Sequence, residues 1–272
     1  MKIFILNSSG NAGKSLLARE LFFPRFADAK IVEIETVNSG GSNFESLNIQ
    51  KFKGGDDFTD IYMTILETEN LILDVGASNL TSFWESMSTF AGVETIFDYF
   101  VIPTSTRGKI QEDTYKTINF LKGEGIPVEK IKVVFNEVKT TVAQDFEVLL
   151  SADFPFDENL YINQNESLFN DLGFLKKTIF DIYNPDLDMY KKLILEEATG
   201  GGKLKLVKMD LANRQAQRVK ERMDEVFSGI TFQKAEWIGS TGVVNKKPNK
   251  VKSKSKNIKI EEPLIDENDE EL

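Results

Sequence analysis

Short runs of apolar residues alternate with longer segments of helical periodicity through roughly the first 195 residues of the chain. The apolar runs, at residues 2 to 6, 30 to 35, 70 to 74, 98 to 102, 131 to 135 and 159 to 162, are too short for helices. Several are apolar almost throughout, as in Ile3-Phe4-Ile5-Leu6 and Leu71-Ile72-Leu73, and strands of that kind are covered on both faces. Between them, residues 14 to 23, 80 to 92, 108 to 123, 141 to 151 and 166 to 182 read as helices. Strand and helix in alternation predict an α/β fold with a mostly parallel central sheet flanked by helices. Gly123, Gly125 and Pro127 punctuate one helix end, and Asn184-Pro185-Asp186 another. Residues 38 to 56, opening with Asn38-Ser39-Gly40-Gly41-Ser42, follow neither period and read as a mobile connection.

The pattern changes at Gly200-Gly201-Gly202, which reads as a break before a helix from Leu204 to Phe227. Leu204, Val207, Leu211, Val219, Met223, Val226 and Ile230 fall near helical spacing among Lys203, Lys205, Lys208, Arg214, Arg218, Lys220 and Arg222. Such a basic amphipathic helix ordinarily docks on its own domain or pairs with another chain; contact with DNA or a membrane surface is the rarer use. From Gly239 the chain becomes lysine-rich (Lys246 to Lys256) and then acidic (Glu261 to Glu271), a composition expected to be disordered. The expected organisation is a main domain over 1–195, an amphipathic helix over 203–230 and a disordered charged tail over 239–272.

Composition narrows the chemistry. The chain has 272 residues, 41% of them hydrophobic, enough for one α/β domain with a tail to spare. It contains no cysteine and no histidine, which excludes disulfides, thiolate zinc sites, Fe–S ligation and histidine general bases. Carboxylates, lysines, hydroxyls or a bound Mg²⁺ must carry any reaction. A net charge of -10 argues against a protein that coats duplex DNA, although local basic patches still hold phosphate. No run of about 18 apolar residues and no signal-like N-terminus occurs, so a cytoplasmic location is expected.

Directly after the first apolar run comes Ser8-Ser9-Gly10-Asn11-Ala12-Gly13-Lys14-Ser15, followed by the helical Leu16-Leu17-Ala18-Arg19-Glu20-Leu21-Phe22. A buried strand, a loop of small residues and a helix N-terminus together form a phosphate-binding loop, closing backbone N–H groups around the anion. Against the pattern G-x-x-x-x-G-K-[ST], only the first position departs, with Ser8 for glycine. Ser9, Gly10, Asn11, Ala12, Gly13, Lys14, Ser15 and Leu16 are the expected nucleotide-binding residues. Lys14 would reach the terminal phosphates, and Ser15 would take a place on Mg²⁺. The second metal ligand is expected at Asp74, which ends Leu71-Ile72-Leu73 and precedes Val75-Gly76. Its bland alternative is a cap for the helix near residue 80. Glu33 and Glu35 end another strand, and one of them is a candidate to orient an attacking water. Asn136, after Val133-Val134-Phe135, offers an amide donor and acceptor that could read an adenine edge.

These pieces, with Phe100-Val101-Ile102-Pro103-Thr104 and Asn136-Glu137-Val138, resemble in order and spacing the MinD/ParA family of deviant Walker ATPases over about residues 1–185. Within that family, Leu6-Asn7-Ser8-Ser9-Gly10-Asn11-Ala12-Gly13-Lys14-Ser15 and Phe23-Pro24-Arg25 are similar to StbB-type plasmid stability proteins. The resemblance implies a P-loop NTPase fold, ATP and Mg²⁺ as cofactors, slow hydrolysis with Lys14, Asp74 and Glu35 as its catalytic residues, and a homodimer formed on ATP binding. It also implies a partner protein in plasmid stability, partition or conjugative transfer, with DNA bound directly or through that partner; membrane attachment is less favoured. Two positions depart from the family. Ser9 stands where a signature lysine reaches across the dimer, and Glu35 where an aspartate is usual near the attacking water; Arg107 or Lys109 is a candidate to replace the lysine. Two other readings share these residues: a non-catalytic scaffold gated by nucleotide, and a small-molecule enzyme of the dethiobiotin-synthetase type.

Overall fold

The structure is a computed structural model that describes residues 1–36, 44–53, 58–197 and 199–235. The expected disordered tail over 239–272 lies outside the described residues, as do 38–43 and 54–56 of the expected mobile connection. Seven strands, β1 (Lys2–Ile5), β2 (Lys30–Glu35), β3 (Ile49–Lys53), β4 (Leu71–Val75), β5 (Tyr99–Thr104), β6 (Ile131–Val138) and β7 (Tyr161–Asn163), form one sheet in the order β3-β2-β4-β1-β5-β6-β7. Every neighbouring pair is parallel. The helices are α1 (Lys14–Leu16), α2 (Phe58–Glu67), α3 (Leu80–Ser88), α4 (Gly108–Gly123), α5 (Val142–Asp145), α6 (Glu147–Leu150), α7 (Glu166–Leu175), α8 (Ile179–Ile182), α9 (Met189–Glu196) and α10 (Gly200–Thr231). α1 runs on as a π-helical stretch, Leu17–Phe22, and a 3₁₀ turn, Phe23–Arg25.

β1 lies at the centre, with Ile5 opposite Asp74 of β4 on one side and Val101 of β5 on the other. The chain leaves β1 to build one half of the sheet and returns to build the other, so the carboxyl end of β1 opens into the crevice where such sheets bind ligands. Phe4 and Leu6 face one hydrophobic layer, with Phe83, Trp84, Phe97 and Phe100; Ile3 and Ile5 face the other, with Leu17, Leu21, Met223 and Phe227. Burial on both faces is why β1 reads as an unbroken apolar run. Each such side chain contributes about 1.5–3 kcal/mol.

Several elements differ from the expectation. Part of the expected mobile connection is the edge strand β3, and Phe44 just before it is buried. β3 reads Ile-Gln-Lys-Phe-Lys, half-exposed and polar as edge strands commonly are, so it lacks the apolar run that marks the inner strands. Helix 141–151 breaks at Phe146, and helix 166–182 breaks at Lys176, which adopts the left-handed conformation. Gly200–Gly202 is no break: it forms the first turn of α10, capped by the Thr199 hydroxyl, which accepts the Gly202 N–H at 3.1 Å.

α10 lies on the sheet face that carries Ile3 and Ile5, burying Ala216, Val219, Met223, Val226, Phe227 and Ile230. The first third of its expected stripe, Leu204, Val207 and Leu211, is exposed; Ala212 and Asn213 take the buried positions instead. Two charged residues of the segment after the phosphate loop tie it to this half of the molecule. The fully buried Arg25 guanidinium donates to Asp224 of α10 at 2.7 Å and to the Glu20 and Leu21 carbonyls at 2.9 and 2.6 Å. The Glu20 carboxylate, also buried, accepts the Ile179 N–H at 2.8 Å.

Burial, opposed by that N–H bond, raises the Glu20 carboxyl from 4.5 to about 7. In the unfolded chain it ionises near its ordinary value, so between these limits the folded state holds more protons and stability falls as pH rises. The loss is about 1.4 kcal/mol per pH unit, about 3 kcal/mol by pH 7. Glu20→Gln keeps an acceptor for Ile179 and is expected to be more stable than the parent at pH 8 but not at pH 4.5, measured by urea unfolding at both. An unchanged pH profile would remove this assignment.

Candidate functional site

The loop between β1 and α1 is shaped by three local constraints. Asn11 and Gly13 take positive φ values of 56° and 103°. Gly13 has a second reason to be glycine, because a Cβ there would lie 2.4 Å from Nδ2 of Asn136. Asn7, fully buried, braces the start of the loop: its Oδ1 accepts the Ser9 N–H at 2.7 Å, and its Nδ2 donates to the Pro103 carbonyl at 2.8 Å and to Thr114 at 2.9 Å. Ser8 is held against α4, its N–H donating to the Thr117 hydroxyl at 3.3 Å. The Thr117 hydroxyl and the Asp113 carbonyl of α4 therefore fix the position where the pattern expects glycine. The phosphate-loop motif contains no hint of Asn7, Thr114 or Thr117, whose partners lie across the sheet.

Lys14, Ser15, Asp74 and Glu35 meet at this loop. Lys14 is 8% exposed, and its ammonium donates to the Ser9 carbonyl at 2.9 Å and the Asn7 carbonyl at 3.3 Å. Burial lowers its pKa, opposed by the charges of Asp74 and Glu35. The Ser15 hydroxyl donates to Oδ2 of Asp74 at 2.7 Å, while Oδ1 of Asp74 is buried without a hydrogen-bond partner. Burial raises the Asp74 carboxyl from 3.8 to about 6, against the lowering influence of Ser15 and Lys14. Asn79, not Asp74, occupies the N-cap position of α3.

Glu33 and Glu35 separate in role. Glu33 pairs with Lys51 of β3 at 3.2 Å. Glu35 packs on Gly76, whose missing side chain makes the room: a Cβ would sit 2.7 Å from Oε2 of Glu35. Arg107, at the N-cap of α4, pairs with Glu137 at 3.7 Å, and Lys109 is exposed in the first turn of that helix.

Beside the loop lies a cavity of about 200 Å³ lined by Leu16, Ile162 and Phe169, with amides from Asn11, Asn136 and Asn163. Asn136 ends up inside β6 and not after it. Its Nδ2 donates to the Ala12 carbonyl at 3.1 Å, and its Oδ1 is buried without a partner. A carbonyl can only accept, so the Ala12 contact orients the amide; it engages one of the two Nδ2 hydrogens and leaves Oδ1 as an acceptor with no protein partner. Ile162, Asn163 and Phe169 were not foreseen, since a short edge strand and an irregular helix start carry no motif.

An orphaned carboxylate oxygen beside a serine hydroxyl is a hard-oxygen donor pair, and it fits a Mg²⁺ ion that takes its other ligands from phosphates and water. Among the described residues no cluster of three or more acidic side chains could hold a metal on its own. No helix among them is long and apolar enough to cross a membrane.

No family model and no curated protein matches the chain. Among solved structures it is similar to a ParA family ATPase from Chlorobium tepidum TLS (12% identity, 77% of this chain and 97% of that one, TM-score 0.44). It is also similar to the cell division ATPase MinD of Pyrococcus furiosus (13%, 79% and 98%, 0.43) and to the ATP complex of a Cyanothece McdA variant (13%, 80% and 97%, 0.41). The parallel order β3-β2-β4-β1-β5-β6-β7, with the phosphate loop following the central β1, makes the fold that of a P-loop NTPase.

Proposed function

We propose that this chain is a MinD/ParA-like protein that binds ATP with Mg²⁺ and uses nucleotide state to control its assembly. The observation that carries the reading is the convergence of Lys14, Ser15 and Asp74, with one Asp74 oxygen left over. Ser15 and Asp74 would hold Mg²⁺, which supplies positive charge against the terminal phosphate oxygens when bound. Lys14 exchanges its two carbonyl partners for phosphate oxygens, and the N–H groups of the loop close on the same charge. Asn136 accepts from the exocyclic amine of adenine while Leu16, Ile162 and Phe169 cover the ring. Glu35, held on Gly76, would orient a water. Plasmid stability, partition or conjugative transfer in the cytoplasm, as a nucleotide-dependent homodimer with a partner protein and with DNA reached directly or through it, is the setting the sequence resemblance supports.

Lys14→Ala tests the foundation. Losing charged hydrogen bonds to phosphate costs about 3 kcal/mol, so calorimetric titration with Mg-ATP is expected to show Kd raised about a hundredfold. Affinity within twofold of the parent would overturn the reading. Ser9 favours one variation, a nucleotide-gated scaffold, because the residue that would reach across a dimer has no charge and both its N–H and its carbonyl are engaged within the loop. Lys14-dependent turnover that rises with DNA supports the ATPase; tight binding without turnover, with or without DNA, supports the scaffold.

A further inference from the structure

A cavity of about 720 Å³, within the range of ligand sites, runs between α3 and α4. One end reaches Ser8 of the phosphate loop; the walls are Leu80, Trp84 and Ser88 of α3 and Thr117 and Phe120 of α4. The floor is aromatic: Trp84 and Phe120 meet edge to face at 5.0 Å. Glu85 and Glu124 are the carboxylates of the rim. Glu124 also accepts the Trp84 indole N–H at 2.9 Å, which fixes a carboxylate at the edge of the ring. Lys116, at the same rim, is already matched by Asp113 at 3.1 Å. Two carboxylates beside an aromatic floor attract a cation.

We infer that this groove binds a short basic and apolar peptide segment of a partner protein, with an arginine or lysine between Glu85 and Glu124 and an apolar side chain over Trp84 and Phe120. From Leu80 to Ser88 the groove is about 12 Å long at the helical rise, the length of about four extended residues, which suits a peptide better than a free cation. The site is separate from the residues proposed to hold nucleotide, so its occupancy is measurable without ATP. It shares a structural member with them, since Thr117 both lines the groove and holds the Ser8 N–H.

Trp84 and Trp237 are the only tryptophans in the chain, so Trp237→Phe leaves Trp84 as the sole reporter. Titration of that full-length protein with acetyl-Leu-Arg-Ile-Lys-amide is expected to change Trp84 emission saturably, whereas acetyl-Leu-Glu-Ile-Asp-amide leaves it unchanged. The Glu85→Gln and Glu124→Gln double variant keeps side-chain volume and an acceptor for the indole, and is expected to bind the basic peptide about tenfold more weakly. Calorimetry on the same proteins checks that the signal reports binding, and Lys14→Ala should leave it unchanged whether or not that variant still binds ATP. Absence of a saturable response, an equal response to the acidic peptide, insensitivity to the double variant, or equal binding of free argininamide would each overturn the proposal.

Discussion

Asp74→Asn is expected to make the nucleotide-free protein more stable while removing the Mg²⁺ dependence of its nucleotide binding. The two effects share one cause. Asp74 is 3% exposed in the middle of the sheet, and one of its oxygens has no hydrogen-bond partner. Its carboxyl is raised from 3.8 to about 6, so keeping it ionised in the folded state at pH 8 costs about 3 kcal/mol. Asparagine removes that cost and still accepts from Ser15, but its amide N–H₂ lacks a partner and Lys14 loses a neighbouring charge. The net gain is about 1–2 kcal/mol, or roughly 2–6 °C in Tm for a domain of this size. The sign depends on pH. Above its ordinary value Asp74 would ionise if unfolded, so the folded protein is progressively penalised as pH rises from 3.8 to about 6, and the full penalty applies beyond that. Scanning calorimetry should therefore show the variant ahead of the parent at pH 8 and level with it near pH 3, where both states of the parent are largely protonated. A neutral amide is a poor Mg²⁺ ligand. ATP titrations with and without Mg²⁺ should differ for the parent and coincide for the variant. A stability gain of equal size at both pH values would show that Asp74 charge is not its source, and a retained Mg²⁺ effect would place the ion elsewhere.

Arg25→Ala is expected to be the most destabilising substitution considered, by about 3–5 kcal/mol. The guanidinium is fully buried and donates to the Asp224 carboxylate and to two backbone carbonyls, and alanine removes all of these bonds and leaves a void where the side chain packed. Asp224→Asn should be much milder, about 1 kcal/mol, because Asp224 is 24% exposed, its amide oxygen still accepts, and Arg25 keeps both carbonyls. Urea unfolding of the two variants checks the asymmetry. Similar losses would mean that the ion pair itself, and not the satisfaction of backbone carbonyls, holds α10 to the segment after the phosphate loop.

Much of the site was legible because its parts are local. A phosphate loop needs its strand, small residues, lysine and serine consecutively, and a metal carboxylate at a strand end needs only the apolar run before it. Lys14, Ser15 and Asp74 could therefore be named from pattern, and parallel pairing brings them together as a matter of register. In the sequence, Asn7 and Arg25 stand only within stretches that resemble StbB-type proteins, and nothing there gives either a role. Their roles come from partners about a hundred and two hundred positions away, Pro103 and Asp224.

The remaining differences have the same origin. Apolar periodicity reports whether a side chain meets the core, not which element covers it. At 100° per residue, Leu204, Val207 and Leu211 lie on a face of α10 turned away from Ala212, Ala216 and Met223, so they stay exposed while the small Ala212 and Ala216 are buried. β3 gains its place from hydrogen bonds to β2 along a half-exposed edge, with too little burial to mark it in the pattern. Sequence by itself determined the class of fold and named the charged groups of the proposed phosphate site, because both are read from short contiguous stretches. Only the tertiary structure decided that Glu35 rests on Gly76, that Asn136 donates to the Ala12 carbonyl, and that α4 holds the phosphate loop, because each depends on groups meeting across the sheet.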